Sequence, residues 1–337
     1  MNFVKKLGKG SFGIVDLYEM KGELVAVKKF VTGRTQYGSV NSFDQDKKEA
    51  SFKKELKILE VLKKGCVPFF PCLVLGEKIG DDFQIITNYI PDTYELRDFL
   101  SKNALPSIYV IYVIIENIAN GLRIMHDKFN VVHNDIKPAN MLINSKNLMT
   151  TYIDFGMGCV DNYKDCLRAV GTPNYCPPEK AKVYLKGRKE NVSIEKSKSG
   201  DVWAVGMMIF NIMTKKTIYD YILNRKGIPI TDFLKIVNDL KQPNVDSVIE
   251  RVSKKGPNQK LICEIIWPAL QVDWRKRITA SEFYNRIVKE IPKILATNLP
   301  AGQTLHDINS RAAKDLVNFV VNPKTKYMTT NKANKTY

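Results

Sequence analysis

Apolar and polar positions follow a strand-like pattern in the N-terminal part of the chain. Short β-branched and apolar runs at residues 24–27, 72–75 and 83–87 predict three strands. Residues 47–64 place alanine, leucine and isoleucine at helical spacing among lysines and glutamates, which predicts one amphipathic helix between the first two runs. Residues 33–46 show no apolar period, so we expect a loop there.

Helical patterns dominate the chain from about residue 95 onward. Apolar residues recur at helical spacing in four segments, at residues 108–125, 202–213, 230–240 and 261–270. A small strand-rich part followed by a larger helical part indicates an α+β protein. The length agrees, because 337 residues are enough for two domains or one large one.

The composition is that of an ordinary globular protein except in its charge. Apolar residues make up 44% of the chain and charged residues 26%. Lysine and arginine number 52 against 35 aspartates and glutamates, so the net charge is +17, which favours anionic partners. Residues 180–198 carry a net +5, from seven basic and two acidic residues, and residues 322–337 carry a net +4.

Neither a membrane span nor a secretory signal is predicted. The longest apolar run, residues 108–115, has eight residues, whereas a spanning helix needs roughly 20. The N-terminus enters a glycine cluster without an apolar region, so we expect an intracellular protein, cytoplasmic or nuclear. The basic C-terminal tail carries no nucleic-acid-binding motif and no lipidation signal, so nucleic acid and membrane are not the expected partners.

The cysteines predict free thiols. They are even in number, but they are scattered and form no CxxC pair, so neither disulfides nor a zinc site are expected in an intracellular chain. The six are Cys66, Cys72, Cys159, Cys166, Cys176 and Cys263.

A glycine-rich motif stands near the N-terminus. Residues 8–15 (GKGSFGIV) match G-x-G-x-x-G-x-V, a pattern that also opens dinucleotide-binding folds, where a helix should follow. Here a strand-like run and a turn follow, and then residues 25–28 (VAVK). This favours a glycine-rich hairpin whose backbone N–H groups can approach phosphate. The alternative at this point is a tight turn without function.

Two further motifs lie downstream in a fixed order. Residues 133–140 (HNDIKPAN) place an aspartate, a lysine and an asparagine at D-x-K-x-x-N spacing. Residues 154–156 (DFG) follow directly after the strand-like residues 151–153. A single DFG occurs often by chance, whereas DFG after VAVK and HNDIKPAN at these separations does not.

The motifs together resemble those of the eukaryotic-type protein kinases, serine/threonine class. The resemblance covers about residues 1–290. It extends to residues 171–179 (GTPNYCPPE), to residues 201–203 (DVW), and to Arg277, which resembles the family's arginine partner of Glu179.

The resemblance implies a two-lobed fold that binds ATP in the cleft between the lobes. The small β-rich lobe would comprise residues 1–87 and the larger helical lobe residues 93–290, joined by a hinge at residues 88–92. Residues 291–337 would form a C-terminal extension that ends in the basic tail.

The resemblance also implies the catalytic residues. Asp135 would orient and deprotonate the attacking hydroxyl, Lys137 would neutralise the transferring phosphoryl group, and the Thr172 hydroxyl would link the two. These are the residue types the reaction needs, because phosphoryl transfer depends on positioning and charge neutralisation.

The expected cofactors are ATP and Mg²⁺, with Mn²⁺ as the alternative metal. Lys28 would hold the α- and β-phosphates, and Asn140 and Asp154 would bind the metal. A helix glutamate would orient Lys28. Glu55 fits the family's pattern at residues 55–59 (ELKIL), and Glu49 is the alternative.

The remaining nucleotide contacts are expected from the glycine-rich hairpin, from the hinge, and from Val15 and Ala26, which would cover the two faces of the adenine. Asn88 stands where the family usually has glutamate, but the contact there is made by the backbone. The set comprises Leu7, Gly8, Lys9, Gly10, Ser11, Phe12, Gly13, Ile14, Val15, Ala26, Thr87, Asn88, Tyr89 and Ile90.

The sequence departs from the family in its catalytic loop. Asn134 replaces the arginine that pairs with an activation-loop phosphate in many members. Residues 157–171 contain no serine or threonine, and their only hydroxyl belongs to Tyr163. We therefore expect activity that does not depend on phosphorylation of that segment. His133 and Asp201 would have structural roles, as in the family.

The substrate class follows from smaller features. Lys137-Pro138 and Thr172 resemble serine/threonine kinases, with dual specificity as the alternative. The basic residues 180–198 favour acidic or already phosphorylated protein substrates, and the alternative is a solvated loop. A pseudokinase scaffold and a small-molecule kinase are the competing functions. The oligomeric state is left open.

Overall fold

The structure is a computed structural model that describes residues 1–10, 13–30, 42–101, 108–160, 171–187, 192–223 and 228–297. Within these ranges the fold is α+β, with a strand-rich N-terminal lobe and a larger helical C-terminal lobe, as the sequence predicts. In the described parts of the chain, no helix combines the length and the apolar character needed to cross a bilayer.

The N-terminal lobe is built on an antiparallel sheet of five strands in the order β1-β2-β3-β5-β4. The three predicted strands are confirmed as parts of β3, β4 and β5. Val25 and Val27 of β3 point into a small core with Ile86 of β5. Because side chains alternate along a strand, Lys28 points to the other face of the sheet. The strands are β1 (Asn2–Gly10), β2 (Gly13–Met20), β3 (Glu23–Phe30), β4 (Leu73–Ile79) and β5 (Asp82–Asn88).

The predicted amphipathic helix is confirmed as α1 (Ser42–Lys63), which packs against the sheet through residues such as Ile58 and Leu62. The helix begins earlier than the pattern indicates. The predicted loop 33–46 is therefore wrong for residues 42–46, which form the first turns of α1. Four of these five residues are polar, so apolar periodicity could not reveal the first turns of the helix. Residues 33–41 lie outside the described residues.

The C-terminal lobe is mostly helical, and the four predicted helical segments are confirmed. They correspond to α3 with the π-helical turn Ile124–Lys128 that follows it, α5, α7, and α9 with the 3-10 turn Trp267–Leu270. The helices are α2 (Leu96–Ser101), α3 (Ile108–Arg123), α4 (Pro178–Leu185), α5 (Ile194–Thr214), α6 (Ile218–Ile222), α7 (Ile230–Asn238), α8 (Gln242–Ser253), α9 (Pro257–Ile266) and α10 (Ala280–Thr297).

Helix α5 forms the centre of the C-terminal lobe. Residues on all its faces are buried, including Trp203, Val205 and Met208, which is the pattern of a helix surrounded by other elements. Helix α10 runs through residue 290, where the sequence places a domain boundary. That boundary and the lobe limits stay predictions.

Five short strands of the C-terminal lobe include those that flank the two downstream motifs, residues 133–140 and residues 154–156. Strands β6 and β9 both pair with β8, and β10 pairs with β7. Residues 133–140 therefore lie between β7 and β8, and residues 154–156 lie between β9 and β10. The strands are β6 (Thr93–Glu95), β7 (Val131–Val132), β8 (Met141–Asn144), β9 (Thr150–Tyr152) and β10 (Cys159–Val160).

The prediction of six free thiols is wrong for one pair. Cys66 and Cys72 form a disulfide between the end of α1 and the start of β4, with their Cα atoms 5.1 Å apart. The turn joining these elements brings the two residues together, which the spacing of cysteines along the whole chain does not reveal. Cys176 and Cys263 are free thiols, and both are buried, as is Cys159. Cys166 lies outside the described residues.

Candidate active site

Asp135 is the centre of a hydrogen-bond network on the loop between β7 and β8. The backbone N–H and the hydroxyl of Thr172 both donate to Asp135 Oδ1, at 2.7 Å each. Lys137 Nζ donates to Asp135 Oδ2 at 2.8 Å and to Thr172 Oγ1 at 2.8 Å. Asn140 Nδ2 donates to Asp135 Oδ2 at 2.9 Å and to its backbone oxygen at 2.8 Å. The carboxylate is thus fixed by three side chains from two segments.

A glycine allows the two segments to approach. Gly171 has a φ of +66°, and a Cβ there would lie 2.4 Å from the Asn134 carbonyl oxygen. Only glycine fits this contact, which places Thr172 against Asp135.

Lys28 lies between two carboxylates from different elements. Its Nζ donates to Glu55 of α1 at 2.8 and 2.7 Å, and to Asp154 Oδ1 at 2.8 Å. Of the two candidate partners, the structure places Glu55 at Lys28. Glu49 instead pairs with Lys53 on the same helix.

Burial and charge act against each other in this cluster. Burial opposes the charged form of Lys28, but the Glu55 and Asp154 charges raise its pKa above the ordinary lysine value. Burial alone would raise the pKa of Asp154, yet the charge and hydrogen bond of Lys28 bring it below the ordinary aspartate value. Burial raises the pKa of Glu55. Lys28 and Asp154 are therefore held in their charged forms at neutral pH.

A buried aspartate of α5 positions the catalytic loop. Asp201 accepts hydrogen bonds from the backbone N–H groups of His133 and Asn134 at 2.7 and 2.9 Å, and its Oδ2 lies 3.2 Å from His126 Nε2. Burial favours its neutral form, but the His126 hydrogen bond and the Lys180 charge lower its pKa. The His133 ring packs against Phe155, with ring centroids 4.9 Å apart, and therefore lies inside the fold.

The glycine-rich motif forms the hairpin of β1 and β2, and not a strand followed by a helix. Gly8 pairs with Val15, and Gly10 pairs with Gly13. A Cβ on Gly13 would lie 2.0 Å from the Lys29 carbonyl oxygen, so this position requires glycine. Leu7, Lys9 and Ile14 belong to the same hairpin, whereas Ser11 and Phe12 lie outside the described residues.

The hinge residues extend from β5 beside Ala26, which pairs with Thr87. The backbone N–H of Asn88 donates to the Cys72 carbonyl at 3.0 Å, and that of Tyr89 donates to the Leu24 carbonyl at 3.3 Å. Within the described parts of the chain, the N–H of Ile90 has no such partner. Of these three N–H groups, it is therefore the one available to a nucleotide base.

The donor set fits a magnesium ion bound with a nucleotide. The Asn140 amide nitrogen donates to Asp135, so the amide oxygen is the atom suited to a metal, and Asp154 would supply a carboxylate. Such oxygen ligands suit Mg²⁺, which is usually held by one or two protein groups and by substrate phosphates. Among the described residues, no group of three or more His, Cys, Asp and Glu side chains could form an all-protein metal cage.

Sequence reasoning missed the position of Lys180, which it assigned to a basic surface stretch. Lys180 is only 6% exposed, and its Nζ donates to Asn134 Oδ1 at 2.7 Å. Gly200 leaves room for it, since a Cβ there would lie 2.9 Å from Lys180 Cε. The sequence feature that could have revealed Lys180 is Asn134, which stands where many family members have arginine. A neighbouring cation can compensate for the missing positive charge.

Comparison with known proteins agrees with the family resemblance seen in the sequence motifs. The family model "Protein kinase domain" matches residues 1–287. A probable serine/threonine-protein kinase of Dictyostelium discoideum is 28% identical over 81% of this chain and 38% of its own length. The serine/threonine-protein kinase ssp1 of Schizosaccharomyces pombe is 27% identical over 77% of this chain and 40% of its own length. The chain thus spans less than half the length of these two relatives.

Proposed function

Because the chain belongs to the protein kinase domain family, we propose that it is an active, ATP- and Mg²⁺-dependent kinase that phosphorylates serine and threonine side chains of proteins. The observation that carries the proposal is the Asp135 carboxylate, which Thr172, Lys137 and Asn140 hold in one orientation. Serine/threonine specificity rests on Lys137-Pro138 and on the Thr172 hydroxyl, and dual specificity is the alternative. The intracellular location stays a prediction.

Each side chain of the site has a role that follows from its charge. Asp135 accepts the proton of the attacking hydroxyl, and Lys137 stabilises the negative charge that develops on the transferring group. Lys28, oriented by Glu55, binds phosphate oxygens of ATP. Asn140 and Asp154 would hold Mg²⁺, or Mn²⁺ as an alternative, which supplies charge neutralisation at the phosphates.

The competing functions are less well supported. Pseudokinase scaffolds typically lack the lysine of β3, the catalytic aspartate or the metal-binding aspartate, whereas Lys28, Asp135 and Asp154 are all present here. Small-molecule kinases of related fold commonly lack the segments that correspond to residues 171–179 and 201–203.

We also propose that activity is independent of phosphorylation between residues 157 and 171. Asn134 cannot bind a phosphate as arginine does, and its side chain is already bonded to Lys180 Nζ at 2.7 Å and to the Met157 carbonyl at 3.2 Å. Lys180 thus supplies from α4 a fixed cation next to the catalytic loop. Residues 161–170, which include Tyr163, lie outside the described residues.

Acidic or already phosphorylated proteins are the proposed substrates. The basic residues 180–198 give this proposal only partial support, because Lys180 is buried and Lys198 donates to the His126 carbonyl at 2.8 Å. Lys182 and Lys186 are the exposed lysines among the described residues of this stretch.

The experiment is transfer of labelled γ-phosphate from ATP to casein, histone and the protein itself, with phosphoamino-acid analysis of the products. We expect wild-type transfer to serine and threonine, and a loss of at least about 100-fold in Asp135→Asn, because the general base is removed. ATP binding by thermal shift should persist in the variant, since Asp135 is not expected to contact the base or the α- and β-phosphates.

Two results would contradict the proposal. Equal transfer by wild type and Asp135→Asn would mean that Asp135 is not the base. ATP binding without transfer by the wild type to any substrate would favour a scaffold.

A further inference from the structure

A cavity of about 450 Å³ opens on the C-terminal lobe directly beside Lys137 and Thr172. Helix α2, the catalytic loop and the C-terminal end of α5 form its wall. The lining includes three cationic side chains, Arg97, Lys137 and Lys215, and no aspartate or glutamate. The remaining lining residues are Leu100, Ser101, Pro138, Ala139, Thr172, Tyr175 and Asn211.

The three cations differ in how far neighbouring carboxylates neutralise them. Arg97 pairs with Glu95 at 2.7 Å and with Asp98 at 3.3 Å. Lys137 pairs with Asp135 at 2.8 Å. Lys215 Nζ donates to the Leu100 carbonyl at 2.5 Å, and no ion pair to it occurs within the described ranges.

Among the residues that the structure describes, Lys215 is therefore the cation of this cavity that no carboxylate neutralises. Its position is fixed, because it ends α5 with a φ of +60° and its Nζ bonds the last turn of α2. Partial burial lowers its pKa somewhat from the ordinary lysine value. The Lys215 ammonium group is partly desolvated, and its hydrogen-bond partner, the Leu100 carbonyl, is neutral. An anion that binds next to this ammonium group would therefore stabilise its charge.

We infer that this cavity is a specificity subsite, in which Lys215 and Arg97 receive an anionic side chain of the protein substrate. The inference rests on the proposed kinase function, because the acceptor hydroxyl must lie at Asp135. The cavity opens directly beside Lys137 and Thr172, and an extended peptide spans about 3.3–3.6 Å per residue, so the anionic residue lies within a few positions of the acceptor. Aspartate, glutamate and phosphoserine share the chemistry that this subsite recognises.

The test uses the full chain and serine peptides that carry alanine, aspartate, phosphoserine or arginine at one position at a time, up to four residues on either side of the acceptor. We expect an anion at one or two of these positions to raise kcat/KM about tenfold over alanine, and arginine there to lower it. The preference should weaken as ionic strength rises, because Lys215 is only partly buried and remains accessible to solvent ions. A larger gain for phosphoserine than for aspartate would identify already phosphorylated substrates.

Variants at Lys215 decide the assignment. Lys215→Asn removes the charge and tolerates the positive φ. The ratio of kcat/KM for the acidic peptide to kcat/KM for the alanine peptide should therefore fall to about one or two. Lys215→Glu should favour the arginine peptide, and Lys215→Arg should keep the wild-type order. Lys216→Asn is the matched control, because it removes the same charge one residue away, where Lys216 Nζ lies over the Tyr221 ring and outside the cavity.

The outcomes separate this inference from the proposed function. Transfer to all peptides at equal rates, or an acidic preference that survives in Lys215→Asn, would overturn the subsite and leave the kinase function intact. Loss of the preference in Lys216→Asn as well as in Lys215→Asn would mean a diffuse charge effect and would also overturn it. Transfer to no peptide by the wild type would overturn the kinase function and the subsite together.

Discussion

Lys180 provides a buried cation beside Asn134, the position at which many kinases carry the arginine of their catalytic loop. Its Nζ lies next to Asn134 Oδ1, and its charge helps to keep the buried Asp201 ionised. Asp201 in turn holds the backbone of the catalytic loop. The cation at this point is therefore part of the fold and needs no modification to form.

Replacing this lysine should slow the reaction without weakening ATP binding. We expect Lys180→Met to lower kcat about tenfold with KM for ATP nearly unchanged, because a charge-assisted hydrogen bond to the catalytic loop is lost. Steady-state kinetics at varied ATP concentrations separate the two constants. Lys182→Met, on the exposed face of the same helix, is the control and should stay within about twofold.

A double-mutant cycle tests whether Lys180 acts through Asn134. Asn134→Gly keeps the positive φ of that position and removes the acceptor. If Lys180 acts through Asn134, the double variant should lose less activity than the two single losses combined, because both variants remove the same contact. Additive losses would show that the lysine acts by another route.

At the scale of elements, the contact between β3 and α1 is the feature by which we propose that the N-terminal lobe prepares the site for ATP. Lys28 and Glu55 join the sheet to the helix, and Asp154 adds a link to the C-terminal lobe. The helix must therefore keep its packing against the sheet for Lys28 to reach phosphate.

The two glutamates of α1 provide a matched pair for this contact. We expect Glu55→Gln to lower kcat/KM for ATP at least about tenfold, because it weakens the buried partner of Lys28. Glu49→Gln should have less than about a twofold effect, since Glu49 pairs with the exposed Lys53 on the same helix and not with Lys28. Equal losses in the two variants would contradict the assignment of Glu55.

Elements with a strong apolar period could be predicted from sequence, and others could not. Strand β3 and helix α5 were identified because their buried residues follow a regular pattern or an unbroken apolar run. The first turns of α1 were missed because they carry no such pattern. The Cys66–Cys72 disulfide was missed because it depends on a turn between two elements.

The residues of the candidate site also fall into those that sequence motifs reveal and those that only the folded structure reveals. Local motifs single out Asp135, Lys28 and Asp154, because phosphoryl transfer would need those residue types at those spacings, and their catalytic roles stay predictions. Lys180 and Lys215 could not be chosen in this way, since burial of the first and the cavity beside the second arise only when distant helices pack. The net charge of +17 indicated anionic partners but not which lysines would meet them.

At the scale of the whole molecule, buried ion pairs tie the segment after Gly171 to the centre of the C-terminal lobe. Arg277 bonds both carboxylate oxygens of Glu179, at 2.7 and 3.1 Å, and also the Ser199 carbonyl at the start of α5. This contact fixes α4, which carries Lys180. Together with the Asp135 network, it supports the proposal that the site needs no phosphorylation to form.

The most direct test of this account is the time course of phosphate transfer by phosphatase-treated wild-type protein. Because no loop phosphate is needed, we expect product to form linearly from the first time point, at a rate that preincubation with ATP or an upstream kinase does not change. A lag that preincubation abolishes, or inactivity until residues 157–171 are phosphorylated, would contradict the account.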